Sequence, residues 1–444
     1  MLVGRTGIRA LLEREQIMGL AADHATARAA EELVRGNQWQ NVGCAPLDTS
    51  PGARQLWAEF TDSRLAPAMT IASLPEMRAT CSCAATRFPC RHVVALLLRD
   101  FDMPLENSAT LPDWLSPAAG SRAASSAAGG DDESVRREAA VVAGMADLRL
   151  WLSDLAREGL AGLPKRGRGV WLGAADRLED AYAPEAAREL RAMAIIPGSG
   201  TDWPERLLPR LGRLALLGEA FARLDDLSPG ERGDAFYAAG HLVPSAEALI
   251  ADEWLVLGRV TEVENRTIRA RTWLRGRASG RWARLDQVCA AGRLEGVILP
   301  VGAVAAGELV FTPSAYPLLA RAEHPLRVVG GRLGEDFSGH TGFHNALHDY
   351  VAALVLNPWL RLHPLAVQEV FVEPPALADS RWRLRDRDGR LLPLPLQFGH
   401  GWRLLAQAAD RPLALFGEWD GTMFYPSSVY NDGWRSIASW RAVV

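Results

Sequence analysis

The sequence predicts an α+β chain of several domains: a small N-terminal ββα region, a central helical domain, and a C-terminal, mainly antiparallel β region with helices. Three observations carry that reading. A Cys/His cluster, CSCAATRFPCRH at residues 81–92, leads into a helical run; a small-residue polar stretch, residues 116–133, interrupts the chain; and hydrophobic periodicity changes from three-and-four steps to alternation near residue 245. With 444 residues the chain can bury several cores, roughly one per 150 residues. The resulting divisions are 1–103 for the metal-binding region, 104–133 for a flexible linker, 134–245 for the helical domain and 246–444 for the β-rich α+β domain.

The cluster holds three of the chain's five cysteines and one of its nine histidines. The compartment decides how to read it. Glu13, Arg14 and Glu15 interrupt the apolar stretch a secretory peptide needs, and runs such as Val93 to Leu98 fall far short of the ~20 residues that span a bilayer, so a cytoplasmic chain is expected. Disulfides are rare there, which makes a metal site the natural use of Cys81, Cys83, Cys90 and His92. Residues two apart on a strand share a face, so Cys81 and Cys83 reach one ion while Ser82 points away. Two helical steps rotate by about 200°, so Cys90 and His92 cannot share a helix face. Cys90 is therefore placed on the turn after Pro89, and His92 in the first turn of a helix supplied by Val93 to Arg99. Three thiolates and an imidazole make a closed tetrahedral shell suited to one structural Zn²⁺, with no position left for substrate or catalytic water. Its net charge of about −1 suits a helix N-terminus, with Arg87 and Arg91 beside it. Cys44 and Cys289, without ligand-spaced partners, read as small buried hydrophobes.

The pattern CxC, six residues, CxH resembles the SWIM zinc finger, and CSC…RFPCRHVVALLL is similar to the version in full-length bacterial SWIM zinc finger family proteins. The family's ligands carry over onto Cys81, Cys83, Cys90 and His92, and Phe88-Pro89 also fits; Ala84 departs from the pattern, standing where many relatives have proline. Trp39 to Gly43, Leu56 to Glu59, Leu148 to Leu163 and Asp252 to Gly258 extend the resemblance over most of the chain. Such proteins are commonly linked with MoxR-type AAA ATPases and von Willebrand A-type domain proteins. The resemblance therefore implies a non-catalytic adaptor in a chaperone-like ATPase system. It also implies an alternative, DNA or RNA binding through Arg87, Arg91 and Arg99.

Composition weighs on that choice. Net charge is −4, and all 49 basic residues except Lys165 are arginine, a bias that a GC-rich genome explains without phosphate binding. Residues 1–103 hold 11 Arg against 11 Asp or Glu, without the basic excess of a nucleic-acid module, and no aromatic stacking platform stands near the finger. Lys165 follows Pro164, which excludes a Walker A phosphate cradle, and its turn-like surroundings make a poor Schiff-base site.

Beyond the linker, Val141, Met145, Leu148, Leu152 and Leu155 recur at helical steps, and helical stretches continue over Val170 to Ile196 and Trp203 to Leu224. The C-terminal region opens with alternating segments, Trp254 to Val263 and Arg266 to Leu274, around a Glu264-Asn265 turn. Asp388-Gly389 and Asp420-Gly421 are further hairpin signals, and a helix is expected from Thr341 to Leu356, stopped before Pro358. No repeat of 20–50 residues emerges.

Other site candidates are read as structural. His344 and His348 lie one turn apart with His340 and Asp349 nearby, but the stripe Phe343, Leu347, Val351 and Leu354 makes them edge residues, with no HExxH glutamate. Gly167, Gly169 and Gly173 have the wrong spacing for a dinucleotide fingerprint and read as loop. Asp386, Asp388 and Gly389 fit a hairpin better than a calcium loop; Arg381, Arg383, Arg385 and Arg387 read as a solvated edge strand. A non-enzymatic interaction protein is expected, with nucleic-acid binding the alternative and a hydrolase in the C-terminal region a third reading.

Overall fold

The structure is a computed structural model and describes residues 8–48, 52–61, 66–108, 111–115, 131–241, 249–264, 267–290, 294–330, 339–375, 381–409 and 411–437. Residues 116–130 of the expected linker and Asn265 of the expected turn lie outside the described residues.

The chain begins with helices α1 (Arg14–Met18) and α2 (His24–Arg35), the latter opened by Asp23, whose carboxylate accepts the Thr26 N–H at 2.7 Å. An antiparallel meander follows: β1 (Trp39–Pro46), β2 (Arg54–Phe60), β3 (Ala68–Leu74) and β4 (Arg78–Cys81). Helix α3 (Arg91–Asp102) then packs across β2, β3 and β4 and against α2. Its residues Val93 to Leu98 are all buried, as a helix that is apolar on every side must be. The expected ββα unit is thus the β3–β4 hairpin with α3, thickened by a helix and two more strands.

The central region is helical: α4 (Asp131–Glu158), α5 (Leu163–Arg166), α6 (Gly169–Asp180), α7 (Pro184–Met193), α8 (Trp203–Phe221) and α9 (Pro229–Ala239). Val141, Met145, Leu148, Leu152 and Leu155 of α4 are buried as their spacing requires. The stretch from Val170 to Ile196 is two helices rather than one. Tyr182 takes a positive φ of 57°, and Pro184, which has no N–H to give, restarts the helix in the first-turn position. Gly169 and Gly173 belong to α6 and are not loop; only Gly167, at φ 70°, sits outside a helix, where a left-handed residue ends α5.

The C-terminal region opens with β5 (Leu249–Glu264), β6 (Thr267–Gly276), β7 (Trp282–Ala290), β8 (Leu294–Val297), β9 (Val304–Phe311), β10 (Leu319–Ala322) and β11 (Arg327–Val328). Here β5 is flanked by β6 and β9, and β10 pairs with both β7 and β9, so the sheet closes on itself. Strand β8 leaves this sheet and pairs antiparallel with β4, from Arg78 opposite Val297 to Cys81 opposite Leu294. The division at residues 103 and 246 therefore separates segments that the fold joins. One hydrophobic core runs through Ile8 to Leu98 and continues through Trp254 to Val328.

The remaining elements are β12 (His340–Thr341), α10 (Phe343–Leu356), β13 (His363–Glu373), β14 (Arg383–Arg385), β15 (Leu391–Pro393), α11 (Gly401–Ala408), β16 (Leu413–Trp419), β17 (Phe424–Tyr430) and β18 (Trp434–Ser436). They form a sheet ordered β15-β14-β13-β16-β17-β18, with β12 beside β13. The Asp388-Gly389 and Asp420-Gly421 turns join β14 to β15 and β16 to β17, and α10 ends at Asn357 before Pro358, all as the sequence indicates. Among the described residues no helix is long and apolar enough to cross a membrane.

Candidate metal centre

Two chain reversals bring four ligands together. Cys81 is the last residue of β4, and Ser82 remains in the ladder: its N–H donates to the Met69 carbonyl at 3.0 Å, and its hydroxyl accepts the Met69 N–H at 2.9 Å. Cys83 lies just past the strand. The loop of residues 84–89 then returns the chain so that Cys90 is the N-cap of α3 and His92 occupies the first turn, the placement the helical rotation argument requires. The three Sγ atoms and one imidazole nitrogen lie within 4.8 Å of one another. Nδ1 of His92 is 3.8 Å from the Cys81 sulfur and 4.0 Å from the Cys90 sulfur. Bonds of about 2.3 Å to sulfur and about 2.0 Å to nitrogen give a zinc tetrahedron edges of about 3.5–3.8 Å, so the observed set needs only slight contraction.

The charges of the site also call for a cation. Three sulfurs this close support one thiolate by themselves. Cys83 is held well below the ordinary thiol range by its hydrogen bonds with Cys81 and then Cys90. Cys81 is pushed up to about 11, first by its hydrogen bond to Cys83, and Cys90 is pushed well up by Cys81 and Cys83 and by burial. A doubly charged ion is what lets all three ionise together. Nothing in the donor set is foreign to zinc: soft thiolates and one imidazole, in a number that fills four positions.

Several groups that the sequence reading did not single out hold the ligands in place. Thr70 Oγ1, opposite Cys81 on β3, is 3.2 Å from its sulfur and is placed to donate to a thiolate there. The Phe60 ring lies 4.9 Å from the His92 ring and fixes one side of it. Phe88 is buried, and its carbonyl accepts from Nη2 of Arg259, on β5, at 3.1 Å. Arg87 is ion-paired with Asp23 at the start of α2. Thr70 and Phe60 carry the alternating pattern of any half-buried strand, and Arg259 acts from 171 residues away, so no local signal marks them.

The other candidates stay apart. Among the described residues, Cys81, Cys83, Cys90 and His92 are the one group placed to share an ion. His344 and His348 are exposed, while His340 pairs its Nε2 with Asp349 at 2.9 Å. The buried face of α10 is Phe343, Ala346 and Ala353; Val351, expected in the apolar stripe, is 57 % exposed, because at about 100° per residue it lies off the side that those three share. Asp386 is fully buried and accepts the Phe343 N–H at 2.9 Å, so the hairpin turn caps α10. Arg383 and Arg385 lie on β14, which has β13 and β15 on either side and is not an edge strand. Arg385 pairs with Glu373 and Arg387 with Glu369, and Arg381 meets the Met423 sulfur. Cys44 and Cys289 are buried, as expected.

Comparison with known families agrees with this geometry in two places. Residues 73–100 match the SWIM zinc finger, and residues 136–236 match the SWIM-associated four-helix bundle domain. The first match spans β4, the ligand loop and most of α3; the second spans the bundle built on α4, α6, α7, α8 and α9. No curated protein and no solved structure matches the chain.

Proposed function

We propose that this chain is a non-catalytic interaction protein in which one structural zinc ion, held by Cys81, Cys83, Cys90 and His92, fixes the finger so that the surrounding elements can act as a docking scaffold. The observation that carries the reading is the closed four-ligand set. Four protein ligands satisfy a tetrahedral ion and leave it nothing with which to polarise a substrate. Its role is to hold the end of β4 against the start of α3. The partner we propose, on the resemblance of the sequence to SWIM proteins, is a MoxR-type AAA ATPase together with a von Willebrand A-type domain protein, in the cytoplasm. Nucleic-acid binding through the finger is the competing outcome, and the engagement of Arg87 by Asp23 speaks against it, because one of its three basic contacts is already used.

The test has two parts. Elemental analysis of the purified chain is expected to give one zinc, lost when Cys81→Ser and Cys90→Ser are combined. Purification from the native cell at physiological salt should retain the ATPase or the A-domain protein, identified by mass spectrometry, with a His92→Ala control. Sub-micromolar duplex binding that survives that salt and disappears with Arg87→Ala and Arg91→Ala would replace the adaptor reading, since phosphate contacts weaken steeply as salt rises.

A further inference from the structure

The four ligands are not equally reachable. Cys81, Cys90 and His92 are 4 %, 1 % and 8 % exposed, whereas Cys83 is only partly buried. A groove of about 610 Å³ opens beside it, between α2 and the facing ends of β2 and β3, with Ala29 and Leu33 among its walls on one side, Phe60 and Met69 on the other, and Cys83 and His92 in its lining. Cys44 and Cys289 are buried in β1 and β7 and do not line this groove. Of the five cysteines, Cys83 is the one a small solute in the groove meets.

We propose that Cys83 is an oxidative modification site through which a small uncharged peroxide opens the zinc centre, with Cys90 as the thiol that completes the reaction. This rests on the structural-zinc reading above. A ligating cysteine is a thiolate, and oxidation follows thiolate character and access, which coincide here at one sulfur. In the first step the Cys83 sulfur attacks hydrogen peroxide: an S–O bond forms, the O–O bond breaks and hydroxide leaves, giving a sulfenic acid. In the second, the Cys90 thiolate attacks that sulfur, an S–S bond forms and a second hydroxide leaves. Two thiolates lose two electrons, the peroxide gains them, two protons from the buffer turn the hydroxides into water, and Zn²⁺ departs unchanged in charge once two of its four ligands are gone.

Cys90 is assigned rather than Cys81 by backbone geometry. Both sulfurs are within 4.8 Å of the Cys83 sulfur. Ser82, however, is pinned to Met69 by two hydrogen bonds in an extended ladder. Two extended steps place the Cys81 and Cys83 Cα atoms about 6.6–7 Å apart, at or beyond the upper limit for a disulfide. Cys83 and Cys90 stand at the two ends of the loop of residues 84–89, so no fixed extended spacing holds their Cα atoms apart.

The experiment uses the full chain. Zinc is first measured by elemental analysis; hydrogen peroxide is then added with a chromophoric zinc indicator, and disulfides are mapped by mass spectrometry after alkylation. Expected are release of the ion together with loss of two thiols per chain, a Cys83–Cys90 disulfide, and Cys44 and Cys289 still reduced. An Ala29→Trp variant, which fills the groove from a half-buried position on α2, should keep its zinc and release it several-fold more slowly. Release at the wild-type rate from a folded, zinc-loaded Ala29→Trp chain, a first disulfide that contains Cys81, or zinc that resists peroxide would each overturn the proposal. A chain without zinc at the outset would instead overturn the zinc reading, and this inference with it.

Discussion

Asp100, on the buried side of α3, has no exposed surface and is ion-paired with Arg54 of β2, while its other oxygen accepts the Leu105 N–H at 2.9 Å. Removing the guanidinium strands a charge in the core. Arg54→Met is expected to cost about 3–5 kcal/mol in denaturant unfolding, and Asp100→Asn in the same chain should recover much of that, because the amide still accepts from Leu105 and carries no charge. His363 makes a different kind of residue-scale prediction. It is 3 % exposed, lies against the Tyr316 and Tyr350 rings, and burial pulls it down to about 4, with Asp349 opposing and His340 adding to the shift. Between pH 6.5 and 4 the unfolded chain binds the proton and the folded chain does not, so stability falls as pH drops through that window and is flat with respect to this group above it. The loss is on the order of 3 kcal/mol. His363→Phe should flatten the difference curve between those pH values, measured by urea unfolding at a series of pH. At this scale the sequence is most legible where chemistry is rare: three cysteines and a histidine in twelve positions mean little else. Arg54 and Asp100 are 46 residues apart, and nothing in either neighbourhood announces the other.

At the scale of elements, local signals succeeded where local physics decides. The Asp-Gly turns, the proline after α10 and the periodicity of α4 each act within a few residues, and each was readable. The helix α9 carries signals of the same local kind: Ser228-Pro229 with Glu231 form a capping box, and Gly240 at φ 103° closes the helix. What could not be read is the long-range element. The cap of α10 comes from Asp386, 43 residues on, and the strand that completes the finger's sheet comes from residues 294–297. That strand extends the effect of metal removal beyond the metal-binding region of residues 1–103. Hydrogen exchange is expected to rise in β4 and the ligand loop and, with them, in β8, whereas the bundle, which has its own core, should keep its protection. Unchanged exchange at residues 294–297 would show that β8 holds without the metal.

For the whole molecule, polar joints link the cores. Asp234 of α9 is buried and accepts from Ser314 Oγ and Asn357 Nδ2, both at 2.6 Å, and from the Ala315 N–H at 2.8 Å, tying the bundle to the loop after β9 and to the end of α10. The approach is close enough that a methyl group on Gly233 would lie 2.3 Å from the Pro313 carbonyl. Asp234→Ala removes all three contacts and is expected to cost about 3 kcal/mol and to increase proteolysis near residues 313–317, with the bundle's helical signal retained. Glu418 of β16 plays a similar part between the two C-terminal sheets, accepting from Arg271 and from the Trp273 indole.

The partnership of β4 with β8 also sets an order of events on the ribosome. Cys81 and its neighbours leave the exit tunnel long before Leu294 is made, and at roughly 5–20 residues per second the intervening stretch of about 200 residues takes some 10–40 seconds to synthesise. During that interval the ligands can take up their ion while the outer edge of β4 has no strand beside it, exposing unpaired N–H and carbonyl groups that invite association with other nascent chains. Early metal loading would not end that exposure, since it orders the ligand loop and leaves the edge open. Ribosome-bound chains stalled before residue 294 should accordingly hold zinc yet remain prone to aggregation, and chains stalled well past residue 330 should not.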